Sequence, residues 1–179
     1  MDMCKINFTV LEQEIFSLLC LRAGEKLSQR EVAKLLNVSP TAVSNAVKKL
    51  RENKLIKIEK TKTINFVCLN RDEGRTGELK RVENLKQISI SGLSDFLEEQ
   101  LAGSTIVLFG SYSRGEDTWK SDVDIAVIGR KDKLISLELF EKSLNRQVNI
   151  HFYESWKSIH KHLKNNILNG IILHGSVAL

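Results

Sequence analysis

Proline occurs once in this 179-residue chain, at Pro40. The three cysteines, Cys4, Cys20 and Cys68, are odd in number, widely spaced and in no CxxC pair. That excludes a disulfide framework and a cysteine-rich zinc site, and reads as reduced thiols of a cytoplasmic protein. No apolar run approaches the ~20 residues needed to cross a bilayer; stretches such as Ile106 to Phe109 are far shorter. The start, Met1-Asp2-Met3-Cys4-Lys5, lacks the basic segment and apolar core of a signal peptide. Low-complexity tracts are missing too. With 42% hydrophobic and 27% charged residues, the composition is that of a folded chain with no membrane partner. The length allows one domain or two compact ones.

What is present is an uneven charge. Residues 1–70 hold 12 Lys/Arg against 7 Asp/Glu, a net of +5, whereas residues 71–179 hold 15 of each. Ser39 to Lys62 alone carries seven basic and two acidic side chains. A basic patch confined to one end points to a polyanion partner for that end only. Two domains with different tasks are expected.

Leu11, Ile15, Leu18 and Leu19 recur at helical spacing, predicting a helix from Val10 to Ala23 ended by Gly24. Ser28-Gln29-Arg30-Glu31 is a capping box that opens a short helix with Val32, Leu35 and Leu36 turned inward. Ser39 then caps a third helix with Pro40 at its first position. Val43, Val47 and Leu50 form that helix's apolar stripe; Thr41, Ser44, Asn45, Lys48 and Lys49 form its polar face. Ile56 and Ile58, a turn at Lys60-Thr61-Lys62, and Ile64, Phe66 and Cys68 predict a hairpin. From Val10 to Leu69 this plan resembles a winged helix-turn-helix. The resemblance implies duplex DNA as partner, with Ser44 and Asn45 toward bases, Lys48, Lys49 and Lys62 toward phosphates, and Thr41 among the DNA-binding residues of the same face. Asn70 to Gly77 reads as linker and Glu78 to Leu85 as helix. Residues 71–90 thus connect the winged helix (1–70) to a second domain (91–179), whose first helix is expected from Ser91 to Leu101.

Ile106 to Phe109 is all apolar, as a strand buried on both faces would be. Gly110-Ser111 follows at once. Ten residues later, Asp122-Val123-Asp124-Ile125-Ala126-Val127-Ile128 starts a strand with carboxylates at alternate positions. Alternation puts Asp122 and Asp124 on one face, with Cα atoms ~6.6 Å apart. Two charges near 6 Å repel by about 3 kcal/mol at an effective dielectric near 20, so the pair calls for a cation. Oxygen-only donors select Mg²⁺ or Mn²⁺ over zinc. Glycine allows close approach of an anion, and the amide and hydroxyl of Ser111 can hold phosphate oxygens. Arg114 and Gly115 lie in the same connection. There is no GxxxxGK[ST] loop, and the glycine spacing fails the dinucleotide fingerprint. What remains is phosphoryl or nucleotidyl transfer with metal ions.

Leu108-Phe109-Gly110-Ser111-Tyr112-Ser113-Arg114-Gly115, then Ser121-Asp122-Val123-Asp124-Ile125, resembles the signature of the DNA polymerase β-like nucleotidyltransferases, most closely the minimal ones. The resemblance spans about Ser104 to Gly175. It implies an α/β (α+β) chain whose second domain is a mixed sheet flanked by helices. It also implies transfer of a nucleoside monophosphate from an NTP, with ATP expected, to a hydroxyl. Gly110, Ser111 and Arg114 would hold the nucleotide, and Asp122 and Asp124 the metals. The family's third carboxylate falls at Asn149, in the strand Gln147 to Phe152. An amide ligates weakly and cannot take a proton as a carboxylate would. His151 shares Asn149's strand face and is the titratable group nearest to replacing it. His160 and His162, two apart on a helix expected from Ser155 to Leu168, should face different ways.

The first function implied is an antitoxin-like nucleotidyltransferase acting on a partner such as a HEPN-type toxin and coupled to DNA binding. The second is a DNA-binding regulator whose degenerate nucleotidyltransferase domain only senses nucleotide. Transfer to a small molecule such as an aminoglycoside has the shared signature alone behind it. A homodimer is compatible with either of the first two.

Overall fold

The computed structural model describes residues 7–177; Cys4 lies outside the described residues. The chain divides into two compact units, Met1–Lys80 and Arg81–Leu179. In the first, Thr9 caps helix α1 (Val10–Leu21): its hydroxyl accepts from Glu12 N, while the Glu12 carboxylate accepts from Thr9 N. Strand β1 (Leu27–Ser28) leads into α2 (Gln29–Leu35), headed by the expected Ser28–Glu31 capping box. Hydrogen bonds from Ser28 hold the Glu31 carboxyl below its usual range. Ser39 caps α3 (Pro40–Glu52), which buries Val43, Ala46, Val47 and Leu50. Strands β2 (Ile56–Lys60) and β3 (Asn65–Leu69) form the hairpin, and β1 pairs with the other edge of β3. Ile15, Phe16 and Leu19 meet Val32, Val47, Leu50 and Val67 in one core.

Two side-chain expectations fail here. Leu35 is exposed, and Ala33 is buried beside Val32 instead. A seven-residue helix presents only one narrow stripe, and Val32 and Ala33 occupy it. In the hairpin, Val67 and Leu69 are the buried residues, whereas Ile64 is exposed and Phe66 and Cys68 are half-buried. Both phases of that strand are apolar, so alternation cannot choose between them. Pairing of Ile56 with Leu69 and of Ile58 with Val67 makes the choice. Burial raises the Cys68 thiol above its ordinary value, so it stays protonated at neutral pH.

Helix α4 (Gly74–Ile90) starts four residues before the expected Glu78, so Gly74 to Gly77 is helix rather than linker. Leu79 packs on the first core, and that contact outweighs the ~1 kcal/mol each glycine costs a helix. Then follow α5 (Leu93–Gln100), β4 (Thr105–Phe109), α6 (Gly110–Arg114), β5 (Val123–Ile128), α7 (Glu138–Leu144) and β6 (Val148–Tyr153). A 3₁₀ turn (Trp156–Ser158), α8 (Lys161–Leu168) and β7 (Ile171–His174) complete the unit. The helix expected over Ser155 to Leu168 is therefore broken at Ile159, whose backbone is extended. As a result the rings of His160 and His162 lie 5.6 Å apart rather than facing different ways.

The sheet runs β6-β5-β4-β7, with β5 and β6 parallel and the other pairs antiparallel. Its two faces follow from strand alternation. Val123, Ile125 and Val127 point into a core with Ile106, Leu108, Val148, Leu93 and Leu97. Ala126 and Ile128 point the other way, to Val107, Phe109, Trp156, Ile159 and Ile167. Asp122 and Asp124 belong to this second face, at its end.

Leu50→Ala should cost about 2–5 kcal/mol, the usual loss for a fully buried leucine. Leu35→Ala should stay within about 0.5 kcal/mol, as exposed positions do. Urea unfolding of the two variants checks the assignment.

Candidate active site

The site is assembled by strand register. Antiparallel pairing sets Phe109, the last residue of β4, opposite Asp124. The next residue, Gly110, has φ +78°, and a Cβ built on it would lie 2.7 Å from Asp124 Oδ2. Only glycine accepts both that backbone and that neighbour. Gly110 and Ser111 open α6, and the Ser113 hydroxyl donates back to Gly110 O at 2.9 Å. Ahead of β5, Ser121 Oγ accepts from Thr118 N at 3.0 Å. This turn delivers Asp122, which is exposed, while Asp124 is half-buried.

Parallel pairing places Asn149 beside Asp124 and His151 beside Ala126. Asn149 Nδ2 donates to Asp122 Oδ2 at 3.2 Å, and its Oδ1 accepts from Gln147 Nε2 at 3.4 Å. His151 Nε2 lies 3.5 Å from Asp124 Oδ1. The predicted Gly110, Asp122, Asp124 and Asn149 thus come together, with His151 joining them and Ser111 half-buried next to Gly110. Arg114 is turned toward α8: its Nε donates to Glu116 and its Nη1 to Asn166 Oδ1, at 2.8 and 2.9 Å. Arg130 and Lys133 donate to Gln100 O, tying the loop after β5 to the end of α5.

One cluster had no sequence signal. Asn84 Nδ2 donates to Asp117 Oδ1 at 2.7 Å and to Tyr112 O at 2.8 Å. Arg146 Nη2 lies 3.7 Å from Asp117 Oδ2, and both side chains are buried. Asp117 precedes the turn that delivers Asp122, and Arg146 precedes the strand that delivers Asn149. The buried pair ties together the two connections that carry the site. Nothing at i±4 in the chain could reveal such a long-range pair.

In the first unit, Thr41, Asn45, Lys48 and Lys49 lie exposed on one side of α3, Ser44 is half-buried among them, and Lys62 is exposed in the hairpin turn. Lys49 has an acidic partner, Glu12 Oε1 at 3.4 Å, and Lys57 is hydrogen-bonded to Asp72.

Residues 90–178 match the family model described as Nucleotidyltransferase domain, and residues 17–63 match that of the MarR family. The chain joins a MarR-type winged helix to a nucleotidyltransferase domain. No curated protein matches the sequence. Among solved structures, a mutant of Lactococcus lactis ZitR is similar at 20% identity, with 56% of this chain covering 68% of that one at a TM-score of 0.41. Another ZitR mutant, solved in complex with DNA, gives 21%, 57% and 68%, with a TM-score of 0.39. The heme sensor PefR from Streptococcus agalactiae, in complex with heme, gives 21%, 53% and 60%, with a TM-score of 0.35.

The nucleotidyltransferase domain's donor set suits a hard divalent cation that is completed by a nucleotide. Among the described residues no three His, Cys, Asp or Glu side chains form a closed metal cluster. Mg²⁺-type sites commonly rest on one or two carboxylates plus substrate phosphates, and keep water. Asp122 and Asp124 are oxygen donors of that kind, whereas Asn149 turns its Nδ2 toward Asp122 and its Oδ1 toward Gln147.

Gly110→Ala should force the Asp124 carboxylate aside and cost about 1–3 kcal/mol for the strained backbone. A urea midpoint unchanged from wild type would show that the glycine is not required there.

Proposed function

We propose that the nucleotidyltransferase domain binds an NTP with Mg²⁺ or Mn²⁺ and transfers the nucleoside monophosphate to a hydroxyl on a partner protein, and that the winged helix binds duplex DNA. The observation that carries this reading is the contact of Gly110 with the Asp124 carboxylate. One glycine brings the backbone that would meet the triphosphate against the acid that would meet the metal. Asp122 and Asp124 would hold the cation, which when bound supplies Lewis-acid polarisation of the phosphoryl group. The amides of Gly110 and Ser111 would orient the phosphates. In the transfer, the acceptor hydroxyl oxygen bonds to the α-phosphorus as its proton passes to solvent, the bond to the β-bridging oxygen breaks, and pyrophosphate leaves. Asp122 and His151 are both exposed, so the rim is open to an acceptor as large as a protein loop. A HEPN-type toxin fits that description, and ATP is the nucleotide to try first.

A second reading has an observation of its own. Asn149 stands where related sites carry a third carboxylate, and its amide is hydrogen-bonded to Asp122. Such a site would bind nucleotide without turning it over and report it to the DNA-binding unit. Asp122→Asn and Asp124→Asn should each abolish metal-dependent ATP binding without unfolding the protein, because they also remove mutual repulsion. Titration calorimetry that finds unaltered affinity in the double variant would sink both readings. Labelled ATP then separates them. A sensor gains transfer in Asn149→Asp, by ~10²-fold or more if a general base is restored. A working enzyme labels a partner protein as wild type, and Asn149→Asp changes its rate little.

For the winged helix, α3 would enter a major groove with Thr41, Ser44 and Asn45 toward base edges. Lys48, Lys49 and Lys62 would lie toward phosphates, with Lys49 shared with Glu12. Replacing Lys48 or Lys62 by Ala should weaken duplex binding for all sequences and lower the salt slope by about one each. Lys49→Ala should change it less. A full-length protein with no salt-sensitive affinity for duplex DNA would make the first unit a protein-interaction module.

A further inference from the structure

Outside the acid-bearing site, α5 and β7 bring together a serine, a histidine and a glutamate. Ser94 Oγ lies 2.8 Å from His174 Nε2, and His174 Nδ1 lies 3.1 Å from Glu98 Oε2. Each ring nitrogen thus has its own partner. With the ring's one proton on Nδ1, toward the carboxylate, Nε2 is left to accept from the serine hydroxyl. Nucleophile, base and orienting acid are then joined in that order at hydrogen-bond distances. A strand irregularity aims the histidine. Strand β4 pairs Leu108 with Ile171 and Val107 with Ile172, but Ile106 with His174. The extra residue, Leu173, makes a β-bulge, which turns His174 to the face of Ile106 instead of that of Ile172. On that face α5 is anchored by Leu93 and Leu97. Ser94 and Glu98, four residues apart, meet the ring from one side of the helix.

We propose that Ser94, His174 and Glu98 form a second active site, one that hydrolyses small carboxylic esters. Ser94 Oγ bonds to the acyl carbon as its proton passes to His174 Nε2. The carbon–oxygen bond of the ester breaks, and the leaving alcohol takes that proton. Water then gives a proton to Nε2 and its oxygen to the acyl carbon, the bond to Ser94 Oγ breaks, and the proton returns to Oγ. Donors for the developing oxyanion come from the start of α5. Its cap, Gly92, has no side chain, and Ser91 Oγ accepts from Leu93 N at 3.3 Å. The amides of Ser94 and Asp95, in the same first turn, have no acceptor within the helix. Ser94 and His174 are half-buried and Glu98 is exposed, which leaves the hydroxyl open to a small substrate. Asp95 and Glu99 are exposed on the same helix, so a neutral or cationic acyl group is favoured over an anionic one. None of these residues belongs to the acid-bearing site.

The full chain is treated with a fluorophosphonate, which labels serines activated by a base, and the labelled residues are identified by mass spectrometry. Ser94 should react about 10²-fold faster than the exposed Ser89, and His174→Gln should remove that advantage, as loss of a general base does. Wild type should hydrolyse p-nitrophenyl acetate, and Ser94→Ala should not. Glu98→Gln should lower kcat about tenfold and leave KM within about twofold, because an exposed carboxylate acts on the ring through a screened charge. If Ser94 reacts no faster than Ser89 in wild type, the three side chains only tie α5 to β7 and the site falls. It falls equally if His174→Gln keeps the wild-type urea midpoint and labels as fast. Should His174→Gln shift that midpoint, Glu98→Gln decides, since its side chain is exposed and of the same size: an unchanged kcat overturns the site.

Discussion

Pairing of Phe109 with Asp124 across β4 and β5 is the constraint on which the nucleotidyltransferase unit depends. The last residue of one strand is set against the second acid of the next, so the chain must turn within contact of a carboxylate. Glycine at position 110 makes the turn possible. A side chain there would collide with Asp124, and its backbone conformation would be strained for any other residue. The same register fixes which face each residue of β5 shows. Asp122 and Asp124 take the two positions beyond the packed stretch of Ala126 and Ile128, so the acids extend an apolar face without being buried in it. That keeps them reachable from solvent.

The site's remaining parts are held by contacts that lie elsewhere in the chain. The Asp117–Arg146 pair, braced by Asn84, joins the connection ahead of β5 to the connection ahead of β6. A buried ion pair of this kind adds little net stability, because desolvation offsets most of the attraction. Its effect is geometric: the two loops that present Asp122 and Asn149 cannot drift apart without stranding a buried charge. In the winged helix the Glu12–Lys49 pair has a similar consequence. One carboxylate both caps α1 and restrains a lysine of the polar face of α3, so the basic patch is partly neutralised from within.

How far each element could be read depended on whether its signal was local. The capping box at Ser28, the Ser39-Pro40 start and the apolar stripe of α3 involve residues three or four apart, and all three stand as expected. The Gly-Ser…Asp-x-Asp spacing was equally legible, because a strand, a turn and a strand are close in sequence. Leu35 and the hairpin strand went wrong where two apolar phases competed and only partner strands could decide between them. The helix expected through His160 broke at Ile159 because a run of apolar residues at helical spacing says nothing about a chain that must first settle Trp156 and Ile159 against the sheet.

By itself the sequence determined the three helices and hairpin of the first unit, the strand, Gly-Ser turn and Asp-x-Asp strand of the second, and the unequal charge of the two halves. These follow from backbone propensities and side-chain spacing, which operate over a few residues. Tertiary structure alone decided that Asn149 reaches Asp122, that His151 reaches Asp124, that Arg146 meets Asp117 and that Lys49 meets Glu12. Those partners lie between 27 and 37 positions apart in the chain, and only the register of paired strands and the packing of helices brings them together.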